Sequence, residues 1–252
     1  MLVQSGIRAL ILKTYDTHDD DHIILFAQNS NDDVAHMKDR WFDRQTEALG
    51  ILKEIEEFLS SNPFEILTLI LEDCVMASNG LTKVFEAARL TKYLLPLKKM
   101  PRHGGDWPLV KDMVAANQRL IVFTSNQSKE ESEGIAYKWN FIVECKYGIQ
   151  QRRRPPCIKG EYLPTTDVAS KSLVLLNYYS SPRFNKVDLM KAIDTCYVAA
   201  SHRWPNFIAV DNDEFFKVHQ RQGYRLIAAV RGCQVWKLVA AIIGCSTVAL
   251  LS

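Results

Sequence analysis

The sequence lacks the residue patterns that mark several common classes of site. Its six cysteines form no Cys-x-x-Cys pair, which argues against a zinc site. It contains neither a Gly-x-Gly-x-x-Gly fingerprint nor a phosphate-binding loop ending in Gly-Lys-Ser/Thr, so the usual marks of a nucleotide-binding sheet are missing. A net charge of +2 gives no indication of a nucleic-acid partner, and we expect none.

Long apolar runs are also scarce, and the one at the end of the chain is short. Residues 238–251 are apolar apart from Ser246 and Thr247, but a membrane-spanning helix needs roughly 20 residues. We predict a packed terminal helix or strand there, with a membrane anchor or a removable anchoring signal as the alternative. Residues 1–6 have no basic region and predict no signal peptide, which leaves the localisation open. The basic run at 152–154 predicts a solvated loop, with a phosphate or lipid contact as the alternative.

What the sequence does contain is an alternation of short apolar runs with amphipathic stretches. This alternation predicts parallel strands joined by helices, and the unbroken apolar runs are typical of strands buried on both faces. The pattern leaves an open sheet and a closed barrel as alternatives. The predicted strands are 7–12, 23–26, 66–71, 119–123, 173–177 and 207–210. The predicted helices are 48–59, 81–90, 109–116, 134–144, 187–200 and 214–220.

Five stretches carry a resemblance to a known family, namely 6–10, 51–72, 100–125, 134–139 and 203–211. The most specific motifs are Gly-Gly-Asp-Trp-Pro, which begins at Gly104, and Arg-Trp-Pro-Asn-Phe-Ile-Ala-Val-Asp, which begins at Arg203. In order and spacing they resemble the plant PLC-like phosphodiesterases, which carry a phosphatidylinositol-specific phospholipase C X domain. The resemblance implies an α/β fold over residues 1–234, a distorted (β/α) TIM-type barrel without its first strand, followed by an apolar tail at 235–252.

The resemblance also implies a function, that of a phosphoric diester hydrolase of the phospholipase C type acting in lipid metabolism. In such enzymes one histidine acts as base, a second acts as acid, and a calcium ion or an arginine holds the anionic phosphate oxygens. By the family's pattern the first histidine would precede this chain, and Ala27 stands at the position of the second. His22 lies five residues earlier, about 16 Å along a strand and on its opposite face, so we do not expect it to substitute.

Three further positions match the family's site. Glu72 matches a metal-binding glutamate of the phospholipase relatives, and we predict it as a metal ligand. Asp211 matches a family aspartate, Lys13 stands where plant members have an aspartate, and we predict both as catalytic. Calcium is the cofactor that the resemblance implies. Strand alternation places Lys13 and Glu72 on inward faces, so the alternative is an ion pair that puts an ammonium group at the metal position.

The sequence leaves three interpretations of the function. The first is a hydrolase that retains Glu72 and Asp211, although the loss of base and acid would lower its rate by about 10²–10⁴-fold each. The second is a non-catalytic protein that binds a phosphoinositide or another phosphodiester ligand, a membrane surface through the C-terminal tail, or a protein partner. The third is a degenerate product without a stable fold, because a barrel that lacks a strand exposes an unpaired edge.

Two smaller expectations concern packing and cross-links. Trp107 is predicted to be a packing anchor, and His103 is predicted to be a solvated loop residue. Cys157 and Cys196 match family cysteines, but the segment before Cys196 is shorter than in the family, so the sequence leaves the disulfide pattern open.

Overall fold

The structure is a computed structural model that describes residues 8–16, 24–27, 45–148, 170–179, 186–210 and 225–229. Its strands are β1 Ala9–Asp16, β2 Ile24–Ala27, β3 Gln45–Glu47, β4 Leu67–Cys74, β5 Leu120–Thr124, β6 Ala136–Tyr137, β7 Ile142–Gly148, β8 Leu173–Tyr179, β9 Phe207–Val210 and β10 Arg225–Ala229. Its α-helices are α1 Ala48–Ser61, α2 Gly80–Ala87, α3 Val110–Ala115, α4 Ser128–Glu133 and α5 Lys186–Ala199.

The strands form one sheet, in the hydrogen-bonded order β6-β5-β4-β1-β10-β9-β8-β7, with β2 and β3 extending from β1. On one side of β10, strands β1, β4, β5 and β6 pair in parallel, and on the other side β9, β8 and β7 do so. Strand β10 itself is antiparallel to both β1 and β9. Since β1 and β9 therefore run in the same direction, all the parallel strands end at one edge of the sheet. The predicted α/β class with parallel strands is confirmed. A closed barrel is not shown, because no ladder joins β6 to β7 in the described part of the chain.

Alternation along the strands sorts the side chains onto two buried faces. The inner face forms a single apolar cluster with members from both halves of the strand order, so the two halves share one core. Its strand residues are Ala9, Ile11, Ile70, Phe123, Ala136, Ile142, Leu173, Leu175, Phe207 and Ala209. The outer face of β1, β4 and β5 packs against α1 and α2, and its strand residues are Leu10, Leu12, Leu67, Leu69, Leu71, Leu120 and Val122. Ala9, Ile11 and Ile70 belong to this inner cluster, on the face that strand alternation predicts for Lys13 and Glu72.

The predicted helix at 134–144 is wrong. Gly134 has a φ of +67° and ends α4 in the left-handed conformation that glycine adopts at little cost. Strand β6 then pairs with β5, and β7 begins shortly afterwards. Residues 141–143 are all buried, and such a run suits a strand covered on both faces better than a helix with one apolar side. The predicted helix at 214–220 lies outside the described residues.

Trp107 packs where the loop before α3 meets the inner cluster. Its ring lies 6.4 Å from the ring of Phe123 and 6.3 Å from that of Phe141, measured between centroids. Its indole Nε1 donates a hydrogen bond of 2.9 Å to Ser172 Oγ, just before β8. The prediction of a packing anchor is therefore confirmed, and His103 is exposed as predicted.

Disulfide bonds tie parts of the sheet to their surroundings. Cys145 on β7 is bonded to Cys196 on α5, which fastens that helix to the sheet. Cys74 at the end of β4 is disulfide-bonded as well. The cysteine match to the family at Cys157 falls outside the described residues. Among the helices that the structure describes, none is both long enough and apolar enough to cross a bilayer.

Arg119, directly before β5, joins α1 to the sheet. It is 4% exposed, and its guanidinium donates to the carbonyl oxygens of Leu59 at 2.9 Å, Asn62 at 3.0 Å and Glu65 at 3.2 Å. The same group lies 4.9 Å from the centre of the Tyr93 ring. A fixed positive charge at the last carbonyls of a helix also suits the negative end of the helix dipole. Arg119 therefore holds the end of α1 at the amino end of β4 and β5.

Replacing this arginine should destabilise the fold. We expect Arg119→Ala to lower the free energy of unfolding by roughly 2–4 kcal/mol, because buried carbonyls lose a charged donor. Arg119→Lys should restore only part of the loss, since an ammonium group cannot reproduce the planar fork. Urea unfolding measures both. The control is Lys92→Ala, which removes an exposed ion pair with Glu56 and should change stability little. An Arg119→Ala protein as stable as this control would contradict the assignment.

Candidate functional site

Two of the predicted site residues meet at the carboxyl ends of β1 and β4. The parallel register places Lys13 directly beside Glu72. Both follow inward-facing apolar residues by two positions, so both point to the inner side of the sheet. Glu72 is only 8% exposed. The structure thus brings an ammonium group and a carboxylate together where parallel-stranded enzymes usually place their chemistry.

Tyr15 adds a third polar group to this corner of the site. It follows Lys13 by two residues on β1 and therefore shares its face. Burial raises the pKa of Tyr15 to about 12, and the negative charge of Glu72 adds to the rise. The phenol consequently stays protonated at neutral pH and is suited to donate a hydrogen bond. Sequence reasoning missed Tyr15, although the alternation that places Lys13 inward places this residue inward too.

A second polar group lies on the inner face of β7 and β8. Glu144 follows inward-facing Ile142 by two residues, and Asn177 follows inward-facing Leu175 in the same way. Asn177 Nδ2 donates to Glu144 Oε1, and Lys138 Nζ lies 3.4 Å from Glu144 Oε2. All three side chains are largely buried, so contacts with one another, rather than with solvent, keep them in place.

One buried oxygen of this second group has no hydrogen-bond partner among the described residues. Asn177 is 1% exposed, and its Oδ1 accepts no hydrogen bond from any residue that the structure describes. A buried acceptor left unpaired costs about 1–3 kcal/mol, so native proteins rarely keep one without a ligand or a water. The amide cannot simply turn over, because its oxygen would then face the Glu144 carboxylate. A hydroxyl group of a ligand has the chemistry to fill this position. The sequence held a signal for Asn177, which ends the predicted strand 173–177.

Asp73 lies on the opposite face and holds the rim of the site. Thr124 Oγ1 donates to its carboxylate at 2.8 Å, the backbone N–H of Val75 at 2.9 Å and Thr14 Oγ1 at 3.4 Å. Burial raises the pKa of Asp73, and the hydrogen bonds from Val75 and Thr124 oppose the rise. With its acceptors occupied on the outer side of the sheet, Asp73 fixes the start of the loop after β4 rather than facing a ligand.

The same loop is held from two further sides. Asp16 Oδ2 accepts the backbone N–H groups of Met76 at 2.9 Å and Ala77 at 2.5 Å. Lys129 forms an ion pair of 2.6 Å with Glu133, and both side chains are at least nine-tenths buried. Glu133 in turn accepts from the backbone N–H and the hydroxyl of Thr82 in α2. The loop beside Glu72 is therefore a rigid edge of the site.

The remaining predicted site residues have different outcomes. Ala27 pairs with Lys13 across the antiparallel β1–β2 ladder, so a residue without any ionisable group stands next to the corner of the site. Asp211 follows directly after β9 and lies outside the described residues, as do His22 and the basic run 152–154. Their predicted roles stay predictions.

Among the described residues, Glu72 is not part of a group of side chains that could by itself hold a calcium ion. Calcium takes six to eight oxygen ligands. In the described part of the chain, no group of three His, Cys, Asp or Glu side chains comes together to hold a metal. The register also places Lys13 beside Glu72, and its ammonium group cannot act as a metal ligand. A calcium requirement stays a prediction from the resemblance.

The electrostatic contact between Glu72 and Tyr15 can be tested directly. Glu72→Gln removes the negative charge that disfavours the phenolate, so the pKa of Tyr15 should fall below about 12. The chemical shift of ¹³Cζ-labelled tyrosine over a pH titration reports the change, with Tyr15→Phe to assign the resonance. Glu54→Gln, at an exposed position of α1, is the control and should leave the titration unchanged. An unchanged pKa in Glu72→Gln would show that the two groups do not face each other.

Two comparisons with known proteins identify the family of the chain. The family model described as PI-PLC X 1 matches residues 5–202 of the chain. The chain is 38% identical over 216 residues to a PI-PLC X domain-containing protein of Arabidopsis thaliana, At5g67130, a match that covers 83% of this chain and 49% of the relative. The chain thus spans about half the length of this curated relative. On both matches, the chain belongs to the PI-PLC X domain family.

Proposed function

We propose that this chain is a phospholipase-C-like protein that binds a phosphodiester headgroup at the carboxyl ends of its parallel strands and does not turn it over at an enzymatic rate. The observation that carries the proposal is the β1–β4 register, which sets Lys13 beside Glu72, together with the alanine that the β1–β2 register sets beside Lys13. The first pair supplies charge for recognition. The alanine removes the proton-transfer group that cleavage needs.

Recognition of the phosphate rests on the corner formed by β1 and β4. The Lys13 ammonium group supplies positive charge for the anionic oxygens, and the protonated phenol of Tyr15 supplies a neutral donor on the same face. Lys13 would act in the place of the cation that other phospholipases C use. The carboxylate of Glu72, beside Lys13 in the strand register, supplies acceptors for ligand hydroxyls.

Recognition of the alcohol part of the ligand rests on β7 and β8. Because β10 is antiparallel to both β1 and β9, the ends of β7 and β8 lie at the same edge of the sheet as those of β1 and β4. The unpaired Asn177 Oδ1 accepts a hydroxyl, and Glu144 beside it accepts another. A ligand with a phosphodiester and several hydroxyl groups, such as a phosphoinositide headgroup, matches both groups.

Hydrolysis is disfavoured by the residues at the same edge. Cleavage by the family's route needs one group to take a proton from the attacking hydroxyl and another to protonate the leaving oxygen. A methyl group at position 27 can do neither. The phenol of Tyr15, with its pKa near 12, is ionised too rarely at neutral pH to act as an efficient base. Each missing proton transfer costs about 10²–10⁴-fold in rate.

A calcium-dependent phosphoric diester hydrolase is the second candidate, favoured by the retained Glu72 at the family's metal position. Hydrolysis of phosphatidylinositol and of glycerophosphodiesters by the purified chain, with and without calcium, separates the two. We expect no calcium-dependent turnover from folded protein. Turnover that requires calcium and disappears in Glu72→Gln would overturn the binding proposal and establish the hydrolase.

We also propose that the chain binds this ligand at a membrane surface. A phosphodiester lipid presents its headgroup at a bilayer, and the apolar residues 235–252 have the composition to contact one. Binding to lipid vesicles that contain phosphatidylinositol, compared with binding to the soluble headgroup, measures how much the bilayer adds.

The charge of Lys13 should determine affinity for the headgroup. We expect Lys13→Met to weaken binding of glycerophosphoinositol roughly tenfold or more, because a charge-assisted contact to phosphate is lost. Isothermal titration calorimetry gives the dissociation constants. The matched control is Lys98→Met, which removes the same charge from an exposed turn and should bind as the wild-type chain does. Equal affinities for all three proteins would remove Lys13 from the site.

A further inference from the structure

The segment directly after β5 contains a protein-modification pattern that plays no part in the candidate site. Asn126, Gln127 and Ser128 form an Asn-x-Ser sequence with a residue other than proline in the middle. This is the acceptor pattern for attachment of an oligosaccharide to an asparagine side chain. It occurs once in the 252 residues. A short pattern of this kind arises often by chance, and only an accessible asparagine in a chain that reaches the right compartment is modified.

The folded chain leaves the reacting atom of Asn126 accessible. Its Oδ1 accepts hydrogen bonds from the backbone N–H of Ser128 at 3.2 Å and from Ser128 Oγ at 2.9 Å. Its Nδ2, to which a sugar would be attached, donates to no residue that the structure describes. Asn126 itself is half-buried, whereas Gln127 and Ser128 are exposed. A substituent on Nδ2 would therefore break no hydrogen bond between the residues that the structure describes.

The disulfide bonds supply an independent observation about the compartment. Cys145 is bonded to Cys196, and Cys74 is disulfide-bonded too. Structural disulfides form and persist in oxidising compartments such as the lumen of the endoplasmic reticulum and are rare in the cytosol. Asparagine-linked oligosaccharides are added in that same lumen. A chain that forms these cross-links in that lumen would also meet the glycosylation machinery there.

We infer that Asn126 is a site of N-linked glycosylation. In the transfer, Nδ2 attacks the anomeric carbon of an oligosaccharide carried on a lipid pyrophosphate, and a carbon–nitrogen bond forms. The bond between that carbon and the pyrophosphate oxygen breaks, its electrons leave with the lipid pyrophosphate, and a base takes one amide proton. The hydrogen bond from Ser128 Oγ to Asn126 Oδ1 polarises the amide in the sense that favours this proton loss.

The position of Asn126 in the fold determines where the glycan would lie. Ser125, one residue earlier, donates its backbone N–H to Leu71 O at 2.9 Å, and its hydroxyl accepts the N–H of Asp73 at 2.8 Å. Asn126 is therefore fixed at the carboxyl end of β5, beside the end of β4. The oligosaccharide would be attached at the same edge of the sheet as the candidate site. The inference does not depend on what that site binds.

Mass spectrometry of the secreted protein tests the inference. The full chain, preceded by a secretory leader, is expressed in a eukaryotic host and treated with peptide-N-glycosidase in heavy-oxygen water. We expect residue 126 to be converted to a labelled aspartate in the tryptic peptide 120–129. A mobility shift that the glycosidase removes should be present in the wild-type chain and in Ser128→Thr. It should be absent in Asn126→Gln and Ser128→Ala.

A matched control shows whether the host glycosylates an acceptor pattern placed on the surface of this chain. Arg89 is exposed with a φ of +59°, a conformation that asparagine tolerates, and Leu90 and Thr91 follow it. Arg89→Asn in the Asn126→Gln background therefore moves the acceptor pattern to another surface position. The host is chosen as one in which this control carries a glycan. An unmodified Asn126 in the wild-type chain from that host would overturn the inference.

Discussion

The parallel ladder between β1 and β4 is the constraint on which the rest of the structure depends. It runs over seven pairs, from Ala9 beside Thr68 to Tyr15 beside Cys74. Because side chains alternate, this one register decides what both faces of the sheet carry. A slip of one residue would exchange inner and outer sets, and the ammonium group of Lys13 would face the helices instead of the site.

The outer face supports the inner one through buried polar contacts. Asp73 sits next to Glu72 in the chain, and its hydrogen bonds from Thr124 and Val75 join β4 to β5 and to the loop that follows. The buried Lys129–Glu133 pair holds that loop from α4. Such networks stabilise only when every member has a partner, and here they do. A rigid edge of this kind suits recognition of a ligand of fixed shape, which agrees with the proposed binding function.

The sequence predicted the first half of the site better than the second. Unbroken apolar runs located β1 and β4, and alternation placed Lys13 and Glu72 on one face before their register was known. The segment 134–144 was predicted as a helix, so Glu144 could not be assigned to a strand end. Strand β10 was also not predicted, although residues 226–230 form a short apolar run. Its antiparallel pairing between β1 and β9 follows from tertiary structure and could not be predicted from the run itself.

On the proposed function, the edge of the sheet binds a phosphodiester and leaves it intact. Equilibrium dialysis of the full wild-type chain against radiolabelled glycerophosphoinositol, followed by chromatography of the ligand recovered from the protein compartment, measures both parts at once. We expect saturable retention of the label, all of it still in the diester. Label recovered as inositol phosphates at a rate set by the protein concentration, or no saturable retention at all, would contradict it.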